Sequence, residues 1–409
     1  MWMEGSTSGV YRMWFQHMDM NRIPFYQYNT IIVGTGAAGL NAAVTLHKLG
    51  QKNIALITEG RYMGTSRNTG SDKQTYYKMT QCGSEPDSVR KMAKTLFEGG
   101  CVDGDIAMAE AAGSLRAFYH LVDIGVPFPF NKSGEYVGYK TDHDPLKRGI
   151  SAGPLTSKYM TECLERQAEE RGIPFFDGYQ AVRLLTEEKD GEKRAAGIIA
   201  LNKQKAASPD ERYAVFSAVN IIWATGGEAG MYQASVYPVS QTGGMGVLLE
   251  AGAVAKNLTE SQFGIASVKY RWNLSGTFQQ CLPRYLSAEQ DGSHEREFLN
   301  DYFDTPRQLL TAIFLKGYQW PFDPRKVEGQ GSSLIDLLVY QETVLKGRRV
   351  FLDFMHNPSP LTEGGNVSFR YLAGEAREYL ENSRALLDTP YEVSYRDTSY
   401  GDSSNGGFP

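Results

Sequence analysis

Residues 29–60, NTIIVGTGAAGLNAAVTLHKLGQKNIALITEG, decide how the chain folds. The β-branched run 30–33 reads as a strand buried on both faces. Gly34-Thr35-Gly36-Ala37-Ala38-Gly39 follows directly. Residues 40–49 have helical spacing and good helix formers, Gly50 ends them, and 54–58 form a second strand. Each glycine has a physical role. Gly34 permits the tight strand-to-helix turn, Gly36 lets backbone approach a pyrophosphate, and Gly39 lets the helix pack close to the sheet. The helix start at Ala37 and Ala38 turns free N–H groups and a positive dipole end toward the phosphates. Glu59 lies 20 residues beyond Gly39, at the end of the second strand. A carboxylate there accepts hydrogen bonds from a ribose. The unit therefore expects a dinucleotide, with NAD and FAD both open at this point.

Outward from this unit, 86–125 read as two amphipathic helices and 156–172 as another. Three strand-like segments follow at 179–187, 195–202 and 212–218, joined by the polar connections EKDGEKR and KQKAASPDE. NIIWATGG (220–227) reads as a separate buried strand running into a glycine pair, and TGGMGVLLEAGA (242–253) as a glycine turn opening a helix. After about Lys256 aromatics become dense and the strand–helix rhythm fades. The expected division is a 1–27 extension, a nucleotide-binding domain over 28–256, an inserted domain over 257–365, and a helix and tail over 366–409. The inserted domain should hold a helix in 332–347 and a strand in 348–354. A further helix is expected from Phe369, and the last residues read as disordered.

Composition narrows the function classes. The 409 residues are 41% hydrophobic and 22% charged, with net charge −5, which suits a globular protein and offers no basic surface for nucleic acid. No apolar run approaches the ~20 residues of a membrane helix, so no membrane segment is expected. Residues 1–27 are aromatic and Met-rich without a signal-peptide pattern. Cys82, Cys101, Cys163 and Cys281 form no CxxC, which supports neither a zinc site nor an iron–sulfur cluster. A reducing cytoplasm is the expected compartment. His143, His294 and His356 have no metal spacing or partner carboxylate and read as surface residues.

The order of motifs resembles the flavoproteins related to succinate dehydrogenase, fumarate reductase and L-aspartate oxidase. It runs from the glycine turn through MGTSRNTGSDKQTYYK, the polar-linked strands and IIWATGG to TGGMGVLLEAGA, covering roughly residues 28–355. The resemblance implies an α/β fold: a doubly wound, Rossmann-like FAD-binding domain with a β-meander, and an inserted α+β capping domain over the flavin. It turns the open choice of dinucleotide toward FAD. It implies that Ala224, Thr225, Gly226 and Gly227 close the nucleotide half and that backbone near Ala181 meets the adenine. It also implies that Gly64, Thr65, Ser66, Asn68, Thr69 and Gly70 belong to the loop under the flavin, with Gly60 a further cofactor-binding candidate. Members with a covalent flavin carry a His in that loop. None lies between His47 and His120, so a noncovalent FAD is expected.

The resemblance also implies catalytic and substrate residues. Arg325 in DPRKVEGQGSSLIDLLVYQE corresponds to the family's proton-donating Arg, and an Arg fork can also grip a carboxylate. Thr277 and Arg284 are the substrate-binding candidates. The pattern departs in three places. The turn Thr242-Gly243-Gly244-Met245-Gly246 has no Asp, SQFGIAS (261–267) has no substrate His, and SGTFQQCLPR has no Glu beside its Thr. Nothing after Leu387 resembles the family's closing segment, so the chain reads as truncated or internally deleted. The expected function is an FAD-dependent oxidoreductase exchanging hydride with a small carboxylate, with an electron-donor protein as partner. The alternatives are an FAD-binding homologue without turnover and a simple NAD dehydrogenase.

Overall fold

The computed structural model describes residues 23–69, 74–82, 85–100, 102–141, 143–227, 243–255, 264–267, 274, 276–317, 319 and 322–361. The chain divides into two compact units: Met1–Tyr139 with Leu146–Ser261, and Lys140–Pro145 with Gln262–Pro409. The helix expected from Phe369 and the substance of the 1–27 extension lie outside the described residues.

The first unit is built on the expected strand–turn–helix–strand. Strand β1 (Phe25–Val33) leads through the glycine turn into helix α1 (Ala37–Lys48) and then β2 (Ile54–Thr58). A one-turn helix α2 (Thr65–Asn68) follows, then β3 (Tyr76–Tyr77), α3 (Val89–Glu98), α4 (Gly104–Asp123), β4 (Gly149–Ile150) and α5 (Thr156–Glu170). Strands β5 (Phe175–Asp177), β6 (Tyr179–Lys189), β7 (Glu192–Asn202) and β8 (Tyr213–Trp223) complete a six-stranded sheet in the order β5-β2-β1-β8-β7-β6. The first four of these run parallel, and β8-β7-β6 is an antiparallel meander. Helix α6 (Met245–Glu250) follows Gly243 and Gly244 as expected.

Alternation along β1 and β2 separates two cores, because successive strand side chains point to opposite faces. Ile32, Ile54 and Leu56 join Leu40, Val44, Phe118 and Leu164 from the helices. Ile31, Val33 and Ile57 join Phe216, Ile198 and the rings of Tyr26, Tyr28 and Phe176. Each fully buried aliphatic side chain contributes about 1.5–3 kcal/mol.

Three sequence expectations change. Strand β1 begins at Phe25, so residues 25–27 belong to the sheet and not to the extension. They pair with Val215–Ser217, and the Tyr26 ring stacks on Phe216 at 4.9 Å. The segments 212–218 and 220–227 were expected as separate strands; residues 213–223 form one, β8. Asn220 does not break it, because its amide donates to the Asn29 side chain at 3.3 Å on the neighbouring strand. Strand β5 was not expected; only three residues long, it pairs with the edge of β2 (Leu56↔Phe175).

The second unit has its own core. Helix α7 (Thr277–Gln280) precedes the antiparallel sheet β10-β9-β11, made of β9 (Arg284–Ala288), β10 (Arg296–Glu297) and β11 (Arg349–Asp353). Helix α8 (Pro306–Leu315) starts with the Thr305 hydroxyl accepting from the Gln308 N–H and with Pro at its first position, both strong start signals. Helix α9 (Leu334–Tyr340) runs on into a π-helical turn, Gln341–Leu345. Phe298, Leu310, Ile313, Phe314 and Ile335 are among the residues of this core. Lys316 and Asp336 form an ion pair inside this unit, with side chains 0% and 5% exposed. Burial pushes the Lys316 ammonium down and the Asp336 carboxyl up.

Candidate cofactor site

The glycine turn is a place of close backbone approach. Gly34 has φ +109°, and a Cβ there would lie 2.3 Å from the Ala224 carbonyl oxygen. A Cβ on Gly39 would lie 2.0 Å from the Gly34 carbonyl oxygen. No real side chain fits at either position. The Gly34 N–H donates to Ile57 at 2.8 Å, and the Ala224 N–H donates to Val33 at 2.7 Å. The turn is therefore locked between the ends of β2 and β8. The buried Thr35 hydroxyl donates to Thr58 at 3.0 Å. Gly36 caps α1 with extended backbone and brings no capping side chain of its own, and the first turn holds no acid. That helix end keeps its positive potential for an anion.

The segment after β2 meets this turn. Gly64 precedes α2, and its Cβ, if present, would lie 3.7 Å from the Gly36 Cα. The Ala37 N–H donates to the Ser66 hydroxyl at 3.3 Å. Asn68 donates to the Tyr62 and Gly64 carbonyls, and the Thr69 hydroxyl to that of Thr65. These two side chains thus brace the loop. At Gly60 a Cβ would run into the Met63 sulfur at 2.3 Å. Gly70 lies outside the described residues.

At the end of β2, Glu59 is paired with Lys203 at 2.8 Å, both side chains being about two-fifths exposed. Lys203 was not anticipated. It opens a 3-10 turn, Lys203–Lys205, after β7. Ala181 pairs with Ala200 just before an irregularity in the β6–β7 register and packs on the aromatic core.

At the other end of the turn, Thr225 Oγ1 and Trp223 Nε1 are buried with no hydrogen-bond partner among the described residues. A Cβ on Gly244, whose φ is +128°, would lie 3.1 Å from each. An unmatched buried polar atom costs about 1–3 kcal/mol, and a polar group bound at this turn would remove that cost. With the acid-free start of α1 and the glycine turn, this donor set fits a dinucleotide phosphate and its neighbouring polar edge.

The candidates of the second unit are held in ion pairs. Arg284 opens β9 and meets Asp353 at 2.9 Å and Glu297 at 3.6 Å. Arg325 lies in the 3-10 turn Pro324–Lys326, with its guanidinium on Asp323 at 2.8 Å. Its side chain is 62% exposed. That hydrogen bond from Arg325 holds the Asp323 carboxyl below its usual range. Thr277 begins α7. His294 and His356 are exposed as expected, whereas His143 is half-buried. Among the described residues no cluster could hold a metal ion, and no helix is long and apolar enough to cross a membrane.

A six-stranded α/β sheet with a glycine turn leading into a helix and a meander-fed closing strand has the architecture of a dinucleotide-binding domain. Residues 29–283 match the family described as FAD binding domain. The chain belongs to that family, and its cofactor is FAD. It is 28% identical to an L-aspartate oxidase of Agrobacterium fabrum over 57% of this chain and 42% of that one. It is 24% identical to a succinate dehydrogenase flavoprotein subunit of Coxiella burnetii over 60% and 41%. The chain thus spans less than half the length of these curated relatives. Among solved structures, an E. coli quinol fumarate reductase matches with TM-score 0.56 at 19% identity, over 74% of this chain and 53% of that one. An adenosine-5-phosphosulfate reductase matches with TM-score 0.55 at 16% identity, over 89% and 54%. These structures support the fold.

Proposed function

We propose that this chain is an FAD-dependent oxidoreductase acting at a carbon–carbon bond of a small carboxylate, in the manner its resemblance to fumarate reductase suggests. The observation that carries the reading is the paired close approach at Gly34 and Gly39, with the unpartnered Thr225 and Trp223 polar atoms beside the same turn. Bound without a covalent link, FAD supplies hydride exchange at its N5 atom. Gly36, Ala37 and Ala38 would hold the pyrophosphate on the α1 start, Glu59 the ribose, and Thr65 and Ser66 the flavin edge. Thr225 would meet the polar chain between phosphate and flavin, and the backbone near Ala181 the adenine. Arg325 would grip the substrate carboxylate and exchange the proton, with Asp323 fixing its fork; Thr277 and Arg284 would orient the substrate. An electron-donor protein is the natural partner of such a chemistry.

The reading is tested by reducing the FAD-loaded protein anaerobically and offering unsaturated and saturated small carboxylates in turn. Reoxidation by an unsaturated acid, lost in Arg325→Ala, supports it. FAD binding with no turnover on any acid would replace it by the second reading, a cofactor-binding homologue without activity. The engagement of Arg325 and Arg284 by carboxylates of their own unit favours that second reading.

A further inference from the structure

Residues 59–69, after β2, hold only the one-turn helix α2 as regular structure. A four-residue helix cannot hold itself, because one turn does not repay the ordering of its backbone. Yet Gly64 and Ser66 sit against Gly36 and Ala37. The fixing comes from α5. Glu165 on that helix is 7% exposed, and both of its carboxylate oxygens are used. One accepts from Arg61 Nε, and the other accepts from Arg67 Nη1 at 2.5 Å. The two arginines flank the loop, and both guanidiniums are mostly buried, at 18% exposure. Each also stacks on a ring: Arg61 over Phe175 at 4.1 Å and Arg67 over Tyr62 at 4.9 Å. The Arg61 N–H donates to Asp177 on β5 at 2.8 Å. Helix α5 is itself seated in the core beside α1 through Cys163, Leu164 and Ala168.

We infer that Glu165 is a positioning residue of the cofactor site: one buried carboxylate clamps Arg61 and Arg67 and thereby sets Gly64 and Ser66 against the glycine turn. This rests on the FAD reading. Glu165 touches neither Gly64 nor Ser66 through any recorded bond and acts only through the two arginines. Without it, the two mostly buried arginines lose the anion that they share, and a buried charge that loses its partner is costly. The remaining partners cannot substitute. Glu169 is 52% exposed, and Glu162 is 40% exposed and 3.6 Å from Arg67. Exposed pairs of that kind contribute little.

The test compares the wild-type chain with Glu165→Gln, Glu165→Ala and, as control, Glu169→Ala. Two readouts are taken: FAD affinity by flavin fluorescence titration, and backbone hydrogen exchange of the FAD-free protein. Glu165→Gln keeps the shape and guards against simple misfolding. The expected result is FAD binding weaker by about tenfold or more in both Glu165 variants, the scale on which supporting partners of a site act. Glu169→Ala should stay near wild type. Exchange should rise within residues 61–69 and not in α1 or β1. Wild-type affinity in Glu165→Gln overturns the inference, as does exchange that rises across the whole first unit, which would make Glu165 a general fold residue. If wild type binds no FAD, the FAD reading fails separately. The exchange arm then still decides whether Glu165 sets the loop: a rise confined to 61–69 supports it, and no rise overturns it.

Discussion

At the turn after β1 the proposed site is made of backbone, whereas in the second unit its candidates are long charged side chains. Gly34 and Gly39 stand where a methyl group would overlap a carbonyl oxygen. The Arg284 and Arg325 guanidiniums are each already held by carboxylates of their own unit. The contrast teaches that a backbone site tolerates one arrangement, while a side-chain site can serve structure and chemistry with the same atoms. It also predicts where substitutions bite hardest.

The largest effect is expected at Gly39→Val. Its side chain has no room beside the Gly34 carbonyl, so α1 must move off the sheet, and FAD uptake should be abolished in a spectral titration. Retained FAD binding would erase the contrast between the two regions. Next comes Arg325→Ala, which should lower kcat by about 10²–10⁴-fold, the usual scale of a lost acid–base group, while FAD affinity is unchanged. An equal loss of FAD affinity would show that the two regions are not separable in this way.

Lys316→Ala should destabilise the second unit by about 3–5 kcal/mol in urea unfolding, because it leaves the Asp336 charge buried and alone. Replacing both partners by apolar residues of similar volume should recover most of that loss. The smallest effect concerns acid. The hydrogen bond from Arg325 lowers the Asp323 pKa from 3.8. That contribution is therefore full above the unfolded value and is lost as pH falls through the lower folded one. Arg325→Ala should move the acid-unfolding midpoint slightly upward, measured by circular dichroism. A downward move would mean that the pair does not stabilise the folded state.

Local chemistry was legible in the sequence, and long-range chemistry was not. The β1–α1–β2 unit could be read because the glycine spacing and the β-branched run 30–33 fall within a short stretch of chain. Strand β8 was read as two segments, 212–218 and 220–227, and the bond from Asn220 to the Asn29 side chain on the neighbouring strand joins residues 191 apart. Strand β5 is too short to show a period. The Lys203–Glu59 pair joins residues 144 apart, and the Arg61–Glu165 pair joins residues 104 apart. No local pattern marks such partners. Trp223 stood in the quoted strand, but its unpartnered indole N–H is a property of packing, which only coordinates reveal.

The most direct measurement is the visible spectrum of the purified chain after incubation with FAD and gel filtration, taken beside that of Gly39→Val. Stoichiometric flavin bands that travel with the wild-type protein, are released by denaturation, and are missing from the variant are the predicted result. A colourless wild-type chain that takes up no added FAD, or flavin retained equally by both, would contradict the assignment of the glycine turn as the cofactor's binding site.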